Sequence, residues 1–166
     1  VRVVATGPVA SGTRLLHRIL AGWGLETVHR SMPNYEDFWT ADDFPPDVRF
    51  VIITRRPDIS TRSALVSGHG LLVHRRIAHR GWKGDDDHLQ WEVTKEKPPE
   101  PNIWMMEWWW TRAMETFAAF PQERTRWMAY EALVAAPDAQ LQGLADWLGV
   151  EKGPTEEIYD GNEPWR

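Results

Sequence analysis

The chain has no cysteine among its 166 residues. That excludes a disulfide framework, thiolate catalysis and cysteine metal sites. It has no apolar run approaching the roughly 18 residues that a membrane-spanning helix needs, and no secretory pattern is visible. A cytoplasmic protein with no membrane span is the expectation. Positive charge is also in short supply. Nineteen Lys and Arg face 24 Asp and Glu, for a net charge of −5. That balance argues against nucleic acid as a partner, while leaving room for a local basic pocket around an anionic ligand.

What is present fits one α/β domain spanning residues 1–166, with a hydrophobic share of 42%. A β-like run at 1–6 precedes a helical pattern at 12–23 carried by Leu15, Leu16, Ile19, Leu20 and Trp23. Residues 26–30 read as a second strand and Ser31 to Asn34 as a turn. The continuous apolar run from Phe50 to Thr54 reads as a central parallel strand covered on both faces. Pro57 opens a helix to about Val66. Residues 71–80 read as helical, 81–101 as mostly loop and 102–119 as a long helix. A strand at 126–130 and a helix at 137–148, closed by Gly149, complete the order, and the tail from Glu151 reads as loop. Strands alternating with helices predict a parallel central sheet flanked by helices. Ligands of such sheets sit beyond the carboxyl ends of the strands.

The stretch Thr6-Gly7-Pro8-Val9-Ala10-Ser11-Gly12-Thr13-Arg14 lies between the first strand and first helix. A glycine-containing turn there aims backbone N–H groups at one point, and the helix N-terminus favours negative charge. Gly7 and Gly12 have the spacing of a nucleotide-triphosphate loop, but Thr13 follows where that loop needs Lys. The loop therefore points to phosphate and away from ordinary ATP or GTP hydrolysis.

The strand at 50–54 delivers Arg55 to the same edge, and Ser63 follows eight residues later. Arg offers a planar, permanently charged fork suited to phosphate. A third segment, Tyr130-Glu131-Ala132-Leu133, is followed by Pro137 and a helix ending in Leu148-Gly149. Together these three segments resemble the sulfotransferases that use 3′-phosphoadenosine 5′-phosphosulfate (PAPS).

The resemblance spans most of the chain outside 67–101, a variable stretch on the acceptor side. It implies a P-loop-type nucleotide-binding fold and transfer of a sulfuryl group from PAPS to a hydroxyl or amine. The acceptor would be a small molecule, glycan or lipid, and no metal is required. Gly7, Ala10, Ser11, Gly12, Thr13 and Arg14 would hold the 5′-phosphosulfate, and Arg55 and Ser63 the 3′-phosphate. Tyr130 would border the adenine ring, or else serve as a core tyrosine at a strand end.

Many members of that family carry Lys or Arg where this chain has Ala10, and Arg14 lies four residues later as a substitute charge. The C-terminal R-K-G-x-x-G segment of the cytosolic enzymes is missing, and only residues 161–166 occupy the tail. The chain is short for the family, which leaves the acceptor pocket reduced or completed by a second subunit of a homo-oligomer.

Histidine titrates near neutrality and suits removal of the acceptor's proton. His29, at the end of the second predicted strand, is one candidate base, and Glu36 is the other. Glu131 reads as structural and Arg56 as the neighbour of an acid. His74 and His79 are five apart, which does not stack them as metal ligands on a helix. Two other readings stay open: a nucleotide kinase on the same scaffold, and a module that binds the nucleotide without transferring sulfate.

Overall fold

The computed structural model describes residues 1–32, 38–66, 103–155 and 158–162. The predicted base Glu36, the histidines at 69, 74, 79 and 88, and the variable stretch 67–101 lie outside these residues. The described elements are β1 (Arg2–Pro8), α1 (Thr13–Gly22), β2 (Glu26–Met32), β3 (Arg49–Thr54), α2 (Pro57–Val66), α3 (Ile103–Ala118), β4 (Thr125–Ala129), α4 (Tyr130–Ala135) and α5 (Pro137–Leu148). Single 3₁₀ turns stand at Ala41–Asp43 and Gln122–Arg124.

The four strands form one all-parallel sheet in the order β2-β1-β3-β4. β1 and β3 are therefore interior, as the unbroken apolarity of residues 50–53 demands. Phe50, Val51, Ile52 and Ile53 are fully buried because helices cover both faces. Side chains alternate between two cores. Val3, Ala5, Val51 and Ile53 pack against Leu16, Ile19 and Leu20 of α1 and Leu141, Leu144 and Leu148 of α5. Val4, Phe50 and Ile52 face the other way, onto Trp39, Ala113, Phe117 and Phe120. In that second core the ring of Phe50 lies 4.9 Å from that of Phe120 and 5.5 Å from that of Phe44, both edge-on, the arrangement that ring quadrupoles favour.

Three boundaries differ from the sequence reading. β1 runs on to Pro8 and β2 to Met32, because Gly7 pairs with Ser31 and Pro8 with Met32. Ser31 and Met32 are therefore strand, not turn, and His29 sits three residues short of the strand's end, level with Ala5. β4 stops at Ala129, where Tyr130 opens the short helix α4. α5 ends as expected. Gly149 takes φ 69, and the Val150 N–H returns to the Ala145 carbonyl at 3.1 Å.

Candidate anion site at the carboxyl edge of the sheet

β1 ends at this edge in a tight turn, with the Ser11 N–H bonded to the Pro8 carbonyl at 3.2 Å. Ala10, the third residue of the turn, has φ 62. That left-handed conformation costs a non-glycine residue on the order of 1 kcal/mol, so neighbours must hold it. Two of them do. Ser60 of α2 donates its hydroxyl to the Val9 carbonyl at 2.7 Å, and the Arg55 Nη1 donates to the Ala10 carbonyl at 3.2 Å. Since the one Ser60 proton goes to Val9, the buried Ser11 hydroxyl is the donor in its 3.4 Å contact with the Ser60 Oγ.

Gly12 caps α1 at φ 95 and supplies no side chain to its N-terminal amides. A Cβ at Gly12 would lie 2.8 Å from the Tyr130 ring, and one at Gly7 would lie 2.0 Å from the Ile53 carbonyl oxygen. Both positions require glycine, because the loop runs tightly between β3 and α4.

Thr13, the first helical residue, is buried, and its hydroxyl meets the His29 Nε2 at 2.9 Å. The His17 ring, one turn along α1, stands edge-on to His29 with centroids 6.0 Å apart. His29 thus faces α1, whereas Met32 on the same strand faces the second core. Arg14 is exposed on the first turn of α1.

Arg55 follows the last residue of β3 and is only 8% exposed. Its guanidinium lies 5.0 Å over the Tyr130 ring. Besides Ala10, it donates from Nε to Asn162 Oδ1 at 2.6 Å and from Nη2 to the Gly161 carbonyl. All three acceptors are neutral oxygens, and among the described residues no carboxylate comes within ion-pair distance. The nearby acid, Glu131, is used otherwise. Its Oε1 accepts from the Arg56 N–H at 3.0 Å and the Asn162 Nδ2 at 3.2 Å. Arg56 pairs with Asp58 at 2.8 Å.

Tyr130 is a packed residue at this junction. Its hydroxyl donates to the Tyr159 carbonyl at 3.1 Å and accepts from the Gly161 N–H at 2.9 Å. Ser63 is half-buried on α2. The structure thus brings together the loop at 7–13, Arg55, Tyr130 and, through Thr13, His29.

Ser60, Gly161 and Asn162 belong to this group without being expected from the sequence. Ser60 was findable, since it lies one turn into the helix that Pro57 opens. The tail residues carried no such signal.

Beside the loop, Val9, Met32, Ser60, Thr61, Met106 and Trp109 line a small cleft. The buried indole N–H groups of Trp109 and Trp110, which also lines it, have no hydrogen-bond partner among the described residues. Among the described residues no three His, Asp or Glu side chains converge as metal ligands, and no helix is long and apolar enough to cross a membrane. The sequence matches no family model, and no curated protein matches it.

Proposed function

We propose that this protein is a PAPS-dependent sulfotransferase on a P-loop-type scaffold, moving a sulfuryl group to a hydroxyl or amine acceptor. One observation carries the reading. Arg55 is nine-tenths buried beside a backbone anion loop, and its described partners are neutral oxygens. A buried cation is costly unless an opposite charge joins it, and an anionic ligand at the loop supplies that charge.

Three of Arg55's five N–H groups go to Asn162, Ala10 and Gly161, which leaves two for a phosphate. In this reading the amides that open α1, with Ser11, Gly12, Thr13 and Arg14, bind the 5′-phosphosulfate. Arg55 and Ser63 bind the 3′-phosphate. The acceptor hydroxyl forms its bond to sulfur as the bond from sulfur to the phosphate oxygen breaks, and the acceptor proton passes to His29 or Glu36. Donors fixed in advance around the departing phosphate stabilise the charge that grows there. The location assigned is cytoplasmic.

The test compares thermal shifts with adenosine 3′,5′-bisphosphate, AMP and ATP, since a ligand that binds only the folded state raises apparent stability. The bisphosphate should give the largest shift, and Arg55→Ala should erase its advantage over AMP. No shift with millimolar bisphosphate would reject the proposal. Ala10, where a cation would assist the leaving group, favours a second reading as a binding module without transfer. Tight bisphosphate binding with no sulfate transfer to a broad acceptor panel would select it.

A further inference from the structure

We infer that Asn162 is a positioning residue that aims Arg55 without quenching its charge. This rests on the reading of Arg55 and the loop as an anion site, and it adds the part that keeps the site cationic.

Arg55 needs a partner at Nε to keep its plane over the Tyr130 ring and its Nη1 on the Ala10 carbonyl. A carboxylate is the strongest such partner, but it would cancel the charge that an anion must meet. Asn162 presents a carbonyl oxygen there at 2.6 Å.

Glu131 shows how the acid is kept one step away. Its Oε1 takes the Asn162 Nδ2 proton at 3.2 Å, which fixes the amide so that Oδ1 is the atom facing Arg55. The same oxygen takes the Arg56 N–H at 3.0 Å, closing a ring of bonds through residues 55, 56, 131 and 162. The Asn162 backbone is fixed as well, since its N–H donates to Asp160 Oδ1 at 2.9 Å. Each residue in the ring has a determined orientation, and among the described residues the guanidinium meets only amide and carbonyl oxygens.

A segment at 159–162 that merely packs against Tyr130 would work as well with an aspartate in place of Asn162. Stability and anion binding separate the two roles. Asn162→Asp keeps an oxygen on Nε and adds a charge, whereas Asn162→Ala removes the oxygen and adds none. For melting temperature, the aspartate variant should lie nearer the wild type than the alanine variant. For affinity, measured by calorimetry with adenosine 3′,5′-bisphosphate and with inorganic pyrophosphate, the order should reverse. Asn162→Asp should lose on the order of tenfold or more, and Asn162→Ala only a few-fold. The Arg55 Nε–H resonance should move on adding pyrophosphate to the wild type and stay still in Asn162→Asp. Should the introduced carboxylate and Glu131 repel enough to unfold the chain, combining Asn162→Asp with Glu131→Gln relieves the clash and keeps the same expected loss.

Equal affinities in wild type and Asn162→Asp would overturn the inference, as would stability and affinity falling together in one order. Pyrophosphate binding with no preference for the bisphosphate would reject the nucleotide assignment while leaving the role of Asn162 standing. Failure of the wild type to bind either anion would overturn both.

Discussion

The Thr13 hydroxyl and the His29 Nε2 are 2.9 Å apart, joining the first turn of α1 to the middle of β2. The pair links the loop at 7–13 to an imidazole. Where Nε2 carries no proton, Thr13 donates to His29; where it carries one, Nε2–H donates to the Thr13 oxygen, and the threonine proton becomes free for another acceptor.

The imidazole holds the Thr13 hydroxyl where α1 begins, so His29→Ala should weaken pyrophosphate binding by about 0.5–1 kcal/mol, or roughly two- to fivefold. Thr13→Val, which removes the hydroxyl and keeps the shape, should do the same, and the double variant should lose no more than either single one. Calorimetry at one fixed pH reads it, and additive losses would reject the coupling.

Gly12 and Gly22 stand at opposite ends of α1 and should respond oppositely to alanine. At Gly12 the φ of 95 and the Tyr130 ring 2.8 Å from a new Cβ both oppose the change. The backbone cost alone is about 1–3 kcal/mol, and each kcal/mol lowers Tm by roughly 2–4 °C in a chain of this size. At Gly22 nothing lies within 4 Å of a new Cβ, and alanine should be neutral or stabilising by about 0.4–1 kcal/mol. Thermal melts of the two variants check this, and equal effects would mean that the turn at Gly12 is not as tight as it stands here.

The fold was legible where periodicity carries the information. The apolar run at 50–53 announced an interior strand, and Leu15, Leu16, Ile19 and Leu20 announced the face of α1 that meets the sheet. The end of α5 was legible because a glycine must close that turn. Within the site, the loop and Arg55 were legible because both sit where a strand meets a helix. Other features had no local signal. α4 is six residues long, too short to show a period, and it follows β4 without a gap. Arg55 and Asn162 are 107 residues apart, so nothing near either one announces the bond between them. The extra residues of β2 depend on pairing with Gly7 and Pro8, which is a property of the sheet and not of the Ser31-Met32 dipeptide.

Phe50 tests the second core. Its ring is fully buried among Trp39, Phe44 and Phe120, and Arg124 lies 5.6 Å from its centroid. Phe50→Ala should cost about 3–5 kcal/mol, from lost transfer energy and the cavity left behind. Phe50→Leu keeps most of the volume and should cost much less. Urea unfolding followed by tryptophan fluorescence measures both, and an alanine loss below that of leucine would contradict this packing.

Trp109 isolates a different cost. Its indole N–H is buried without a partner among the described residues, while the ring packs against Met106 and Ala64. An unmet buried donor carries a penalty of about 1–3 kcal/mol. Trp109→Phe removes that donor and retains much of the aromatic area, so it should be close to neutral. Trp109→Ala also loses the packing and should cost about 3–5 kcal/mol. Chemical denaturation of the two variants separates packing from polarity, and a phenylalanine loss as large as alanine's would mean that the N–H has a partner in solution.

Asp58 gives the acid-side prediction. The hydrogen bond from the Arg56 side chain holds its carboxyl below the ordinary aspartate range, against an opposing desolvation and with smaller help from the Arg56 charge and the Ile59 N–H. A carboxylate lowered by folding contributes stability that is present above its unfolded pKa. That contribution is lost as pH falls through the folded value. Both partners are about half exposed, so the effect on stability is small and the titration itself is the better readout. In Arg56→Ala the Asp58 midpoint should move up towards the ordinary value. Molar salt, which screens exposed charges, should move the wild-type midpoint the same way. Carboxyl carbon shifts followed by NMR from pH 2 to 6 provide the measurement. A midpoint that stays put in Arg56→Ala would assign the lowering to the N-terminal turn of α2 instead of to the arginine.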